Sequence, residues 1–149
     1  MDTVTCYIEK DDKWLMLYRN KKKNDINEGK WIGVGGHIEA GETPDQALIR
    51  EIKEETNLDL IDFELLGKIY FRFKNIKETM YVYKTLHYKG ELIECNEGTL
   101  KYIDKNDVMS LNLWEGDRIF IEDIFSNRYF EYIMEYSDDY RLLNVKKLV

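Results

Sequence analysis

Three glutamates, Glu51, Glu54 and Glu55, stand at i, i+3 and i+4 in the run Arg-Glu-Ile-Lys-Glu-Glu. If that run is helical, the three carboxylates share one face over roughly one turn. Like charges at that spacing repel, so the helix by itself gains nothing from them. A hard divalent cation reverses the balance: Mg²⁺ takes oxygen ligands at about 2.0–2.1 Å and combines carboxylates with water and substrate phosphate. The competing reading is a solvated helix face, the usual fate of a Glu-rich run. Just upstream, Gly35, Gly36 and Gly41 would let the backbone turn tightly and bring a carbonyl close to an ion. Arg50 needs a carboxylate partner, and Glu42, just before the helix, would fasten the glycine loop to it.

The elements that must hold these residues are partly written in the chain. Thr43-Pro44-Asp45-Gln46 is a helix start: Thr43 caps, Pro44 suits the first helical position and Gln46 completes a capping box. Asn57 is a stop, because Asn tolerates the left-handed conformation that ends helices. Between them Ala47, Leu48, Ile49 and Ile52 can bury one side. Residues 3–9 and 13–19 read as strands joined by the Lys10-Asp11-Asp12 turn, and 64–73 and 79–88 as strands separated by the polar residues 74–78. A further strand is expected at 99–103, a helix at 115–125 and a short helical turn at 105–111. Segments 128–136 and 140–148 fit strand or helix equally. Strands on both sides of a central helix, with a second helix late, predict an α/β fold with a mixed sheet covered by helices.

Composition narrows the function. The chain has 149 residues, 44% hydrophobic and 13% aromatic, enough for one core, without internal repeat or linker, so one domain over 1–149 is expected. A formal net charge of -7 disfavours broad contact with a nucleic-acid polymer, which relies on many Lys and Arg. A small phosphorylated ligand is compatible, because a cation can bridge it to an acidic site. No apolar run approaches the roughly 20 residues of a membrane span, and the first residues lack a signal-peptide pattern. Cys6 and Cys95 have no CxxC partner and fit structural positions in a reducing compartment. Together these predict a cytoplasmic protein; monomer and homodimer both stay open. The basic run at 19–30 reads as a solvated loop, with phosphate steering as the alternative.

The segment from Gly36 to Leu58 follows Gly-x5-Glu-x7-Arg-Glu-x2-Glu-Glu and closely resembles the signature of the Nudix hydrolases, with Asn57 where that family usually has Gly. The resemblance implies a Nudix fold and hydrolysis of a nucleoside diphosphate linked to another group, with Mg²⁺ or Mn²⁺ as cofactor. It implies that Glu51, Glu54, Glu55 and the Gly35 carbonyl ligate metal. Glu54, or failing it Glu51, would be the general base, with Arg50 and Glu42 as an orienting pair. Glu94 and Glu97 are candidates for a further acid from a later loop, and Glu97 fits better. More of the chain resembles the MutT-like branch that hydrolyses oxidised purine nucleoside triphosphates of the 8-oxo-dGTP type. In that comparison Phe71, Phe73 and Met80 form an apolar pocket, Trp114 stacks on the purine and Asp117 reads its edge. Stacking of that kind is worth about 1–3 kcal/mol per base. Two departures bear on selectivity: Ile32 stands where the branch often has Asn, and Gly116 precedes Asp117 where two acids can occur.

Overall fold

The computed structural model describes residues 1–149. Its strands are β1 (Thr3–Lys10), β2 (Lys13–Tyr18), β3 (Trp31–Ile32), β4 (Val34–His37), β5 (Asp59–Leu60), β6 (Glu64–Phe73), β7 (Ile76–Thr85), β8 (Tyr88–Lys89), β9 (Thr99–Asp104), β10 (Phe130–Tyr136) and β11 (Leu142–Lys147). The helices are α1 (Pro44–Thr56) and α2 (Glu115–Phe125), with a 3₁₀ segment at Lys105–Ser110. The main sheet runs β11-β10-β6-β7-β1-β2-β3, with β4 also on β1 and β9 on β2, while β5 and β8 pair apart. β1–β7 and β10–β6 are parallel; the other pairings are antiparallel. It is the expected mixed sheet between helices.

Alternation along β1 shows how one strand serves both layers. Val4, Cys6 and Ile8 join Ala47, Leu48 and Ile52 of α1. Tyr7, pointing the other way, joins Phe120, Ile121 and Ile124 of α2. Ile49, expected to be buried, is 47% exposed, because one helical position past Leu48 carries it about 100° off the buried stripe. The β1–β2 turn has Asp11 and Asp12 at φ 53° and 61°, the left-handed pair that two-residue hairpins favour.

Three strand readings change. The strand expected over 79–88 ends at Thr85, and Tyr88 pairs with Leu60 in the small sheet instead. The polar residues 74–78 are not a loop: Phe73 pairs with Ile76 and Phe71 with Glu78, leaving a two-residue turn at Lys74-Asn75. The ambiguous tail is a hairpin, since β10 takes the open edge of β6 and β11 follows it. Burial alternates along β10, with Phe130, Tyr132 and Met134 inside.

Candidate active site

The α1 N-terminus has the capping box that its sequence predicts: Gln46 N donates to Thr43 Oγ1 at 3.1 Å and Thr43 N to Gln46 Oε1 at 2.9 Å. Asn57 ends the helix at φ 68° and also donates from Nδ2 to the Glu91 carbonyl at 3.0 Å. That side-chain bond ties the helix end to the loop leading to Glu97, which a glycine could not do.

Arg50 organises the carboxylates. Its Nε and Nη2 grip Glu42 at 2.7 and 2.9 Å, and Nη2 also donates to the His37 carbonyl at 3.0 Å. Its Nη1 reaches Glu51 at 2.9 Å and Glu54 at 3.2 Å. One guanidinium therefore joins the glycine segment to two of the three glutamates, a wider role than the single pair expected. The bidentate hydrogen bonds hold Glu42 down at about 2.

The glycines act differently from the expectation. Of Gly35, Gly36 and Gly41, only Gly41 takes a positive φ, +83°. Gly35 and Gly36 lie in β4 opposite Thr5 and Val4. A Cβ at Gly35 would sit 1.9 Å from the Val4 carbonyl oxygen, and one at Gly36 would sit 2.5 Å from the Glu51 carboxylate. These two positions are glycine for close approach, not for turning.

Glu51 is buried, Glu55 half-buried and Glu54 exposed. Burial raises Glu51, with Arg50 working against the shift. Burial also pushes Glu55 up to about 7; Cys95 opposes this through its hydrogen bond, and the nearby Glu97 charge adds to it. Glu97, not the exposed Glu94, is the loop acid beside α1. It is held by Arg19 at 3.1 Å and Lys22 at 3.7 Å, and Arg19 binds Asp25 at 2.7 Å as well. The basic run is thus partly a clamp rather than a fully solvated loop. Cys95 Sγ donates to Glu55 Oε2 at 3.0 Å, a neighbour that spacing alone did not reveal.

No three of these side chains close around one point as a metal cage. The donor set nevertheless fits a hard cation: mutually repelling carboxylate oxygens on one helix face, those of Glu51 and Glu55 partly desolvated, with positions left for water and phosphate. Soft-metal chemistry has only Cys95 to offer, and its thiol is pushed up to about 11 by burial and by Glu55.

The second group of expected residues meets on the α2 side of the sheet. Ile69 pairs with Met80, and Phe71 and Met80 both pack on the α2-side core. Trp114 is the residue before α2; its Nε1 donates to Asn27 Oδ1 at 2.8 Å and Lys30 Nζ lies 5.1 Å from its ring centroid. Phe73 reaches this cluster through Tyr140, stacked on it at 5.1 Å. Asp117 is buried in the first turn of α2. Its carboxyl is pushed up to about 7 by burial, offset only by the Lys30 charge. Asn27, Lys30, Tyr136 and Tyr140 were not legible as members of this group, because each comes from a distant loop or strand.

A family model of the NUDIX domain matches residues 1–124. The chain belongs to the Nudix family. It is 32% identical over 120 residues to the uncharacterized Nudix hydrolase YvcI of Bacillus subtilis, covering 76% of this chain and 72% of that one. It is 33% identical over 98 residues to an oxidized purine nucleoside triphosphate hydrolase of Danio rerio, covering 64% and 63%. The fold matches the MutT protein of Bacillus halodurans with a TM-score of 0.89 at 24% identity, over 99% of this chain and 97% of that one. As a Nudix hydrolase the protein acts on small nucleoside-diphosphate-linked substrates, and enzymes of this family generally use a divalent metal.

Proposed function

We propose that this Nudix hydrolase converts a purine nucleoside triphosphate of the 8-oxo-dGTP type to the monophosphate and pyrophosphate, with Mg²⁺ as cofactor and Mn²⁺ as a substitute. The observation that carries the reading is the pairing of an aromatic platform with a buried carboxylate, Trp114 and Asp117, at the start of α2. A purine has a face for the first and an N–H edge for the second. The Danio rerio relative's name points to the same class.

Glu51, Glu54, Glu55, Glu97 and the Gly35 carbonyl are the proposed metal ligands. A bound divalent ion supplies charge neutralisation at the phosphate oxygens and lowers the pKa of water. Glu54, exposed and held by Arg50, is the proposed general base; Glu51 is the second choice. Arg50 and Glu42 orient, and Phe71, Phe73 and Met80 line the apolar side of the base site. Ile32 offers no hydrogen bond, so discrimination between oxidised and normal guanine is modest.

One domain over 1–149 is part of this reading, supported by β10 and β11 completing the sheet that holds β6 and β7. So are a cytoplasmic location, a small-molecule partner rather than a nucleic-acid polymer or membrane, and a monomeric or homodimeric state. No helix is long and apolar enough to cross a membrane.

Hydrolysis of dGTP, 8-oxo-dGTP, dATP and ADP-ribose, each with Mg²⁺ and with a chelator, tests the reading. Purine triphosphates should lead, with pyrophosphate released and chelation abolishing turnover. Dominance of ADP-ribose, a dinucleoside polyphosphate or a nucleotide sugar would leave the family and replace the substrate. Binding without turnover by the metal-loaded protein would instead mark a nucleotide sensor.

A further inference from the structure

Tyr140, at the tip of the β10–β11 hairpin, sits at φ +64°, a left-handed conformation uncommon for a bulky residue and costly in strain. The turn does not need the ring. It is closed by Ser137 N to the Arg141 carbonyl at 2.8 Å, Tyr140 N to the Ser137 carbonyl at 3.0 Å and Arg141 N to Ser137 Oγ at 3.0 Å. Gly or Asn would take the same backbone conformation at lower cost.

The ring goes instead to the aromatic group. It stacks on Phe73 with centroids 5.1 Å apart and 20° between planes, and stands at 74° to Trp114 at 6.1 Å. Tyr136 meets Trp114 at 89° and 5.8 Å, and its hydroxyl accepts from Gly116 N at 2.9 Å. Two phenol rings from one hairpin therefore meet the indole at steep angles, 89° and 74°. Tyr140 is still 42% exposed, so burial in the core does not account for its strained position.

We propose that Tyr140 is a base-recognition residue, and that the hairpin tip forms a side wall of the purine site above Trp114. The inference rests on the purine-triphosphate reading. A purine laid on the indole would present its edge to the Tyr140 ring, an edge-to-face contact favoured by the ring quadrupoles. Tyr136 is tied to α2 and fixes one wall. Tyr140 lies on a surface turn and supplies the other. Neither ring belongs to the carboxylate face of α1, so the wall acts on the base and not on the phosphates.

Tyr140→Gly removes the ring and relieves the backbone; Tyr140→Phe keeps the ring. The readouts are KM and kcat for dGTP, and inhibition by inorganic tripolyphosphate, which has phosphates and no base. Tyr140→Gly should raise KM for dGTP roughly 3- to 10-fold, the range of one aromatic contact. It should leave kcat, tripolyphosphate inhibition and Tm near wild type, while Tyr140→Phe restores KM. An unchanged KM for dGTP overturns the proposal. Equal weakening of dGTP and tripolyphosphate, or a fall in Tm matching the loss, also overturns it in favour of a merely structural role. A wild-type enzyme that ignores dGTP but hydrolyses ADP-ribose overturns the triphosphate reading separately. The same comparison on ADP-ribose then decides Tyr140, since adenine presents the same kind of edge.

Discussion

Asp117 is a carboxyl whose surroundings favour its protonated form. Tyr7 and Tyr136 feel its charge as a repulsion on their own ionisation, and Lys30 alone provides an opposing cation. Its folded pKa, about 7, lies above the unfolded value near 3.8. The folded protein therefore binds the extra proton between those values, and stability is highest below that window and falls as pH rises through 7. Asp117→Asn removes the charge at every pH. Its Tm should exceed that of wild type by several degrees at pH 8, and the gap should narrow towards pH 5. A constant gap across that range would place the shift elsewhere. In function, assayed above pH 7 where the charged carboxylate only accepts, the amide donates as well, so the variant should reorder dGTP against dATP, whereas Trp114→Ala should weaken both alike. Glu54, by contrast, is exposed. Glu54→Gln should leave Tm unchanged and lower turnover by about 10²–10⁴-fold; near-wild-type turnover would remove it from the chemistry.

At the scale of elements, the contact between β4 and α1 sets where Glu51 points. Gly36→Ala places a methyl against that carboxylate and should displace it with little change in the sheet. Turnover should fall by about a hundredfold, the cost of an ångström-scale misplacement, while Tm falls only slightly. Wild-type turnover in Gly36→Ala would show that Glu51 has room to move. Arg50→Ala differs, because it frees Glu42, Glu51 and Glu54 together. Tm and kcat should drop in parallel; a rise in KM alone would point to direct phosphate binding. The same two elements show what the sequence discloses. α1 was legible to within a residue because capping is local chemistry, and the Glu42–Arg50 spacing fits a single helix start. The tail was not legible, because β10 is a strand through its pairing with β6 and β11. Tyr136, Tyr140, Asn27 and Cys95 escaped for a related reason: each acquires its neighbour through a tertiary contact that no periodicity records. The 74–78 stretch misled because polar residues can occupy an exposed strand end as readily as a loop.

For the whole molecule, the net charge of -7 and the carboxylate face make an acidic enzyme for an anionic substrate, so divalent cation binding should precede or accompany nucleotide binding. The sheet order carries a different consequence. Residues 3–8 pair with 80–85, and residues 130–136 with 67–73, so the two pairings that flank the β6–β7 hairpin are remote in sequence and parallel. Topologies of that kind have high contact order and fold in about milliseconds to seconds, since loop closure precedes the contacts that reward it. During synthesis, β6 waits with one edge unpaired beside Ile69 and Phe71 until β10 emerges, an adhesive edge for another chain. A chain cut after Asn127 retains every glutamate of α1 and the whole segment that the family model matches. It should nevertheless aggregate or melt without cooperativity, which light scattering and calorimetry would register; a soluble, cooperatively unfolding fragment would refute this. The hairpin that follows α2 in synthesis thus guards the enzyme against its own half-made sheet.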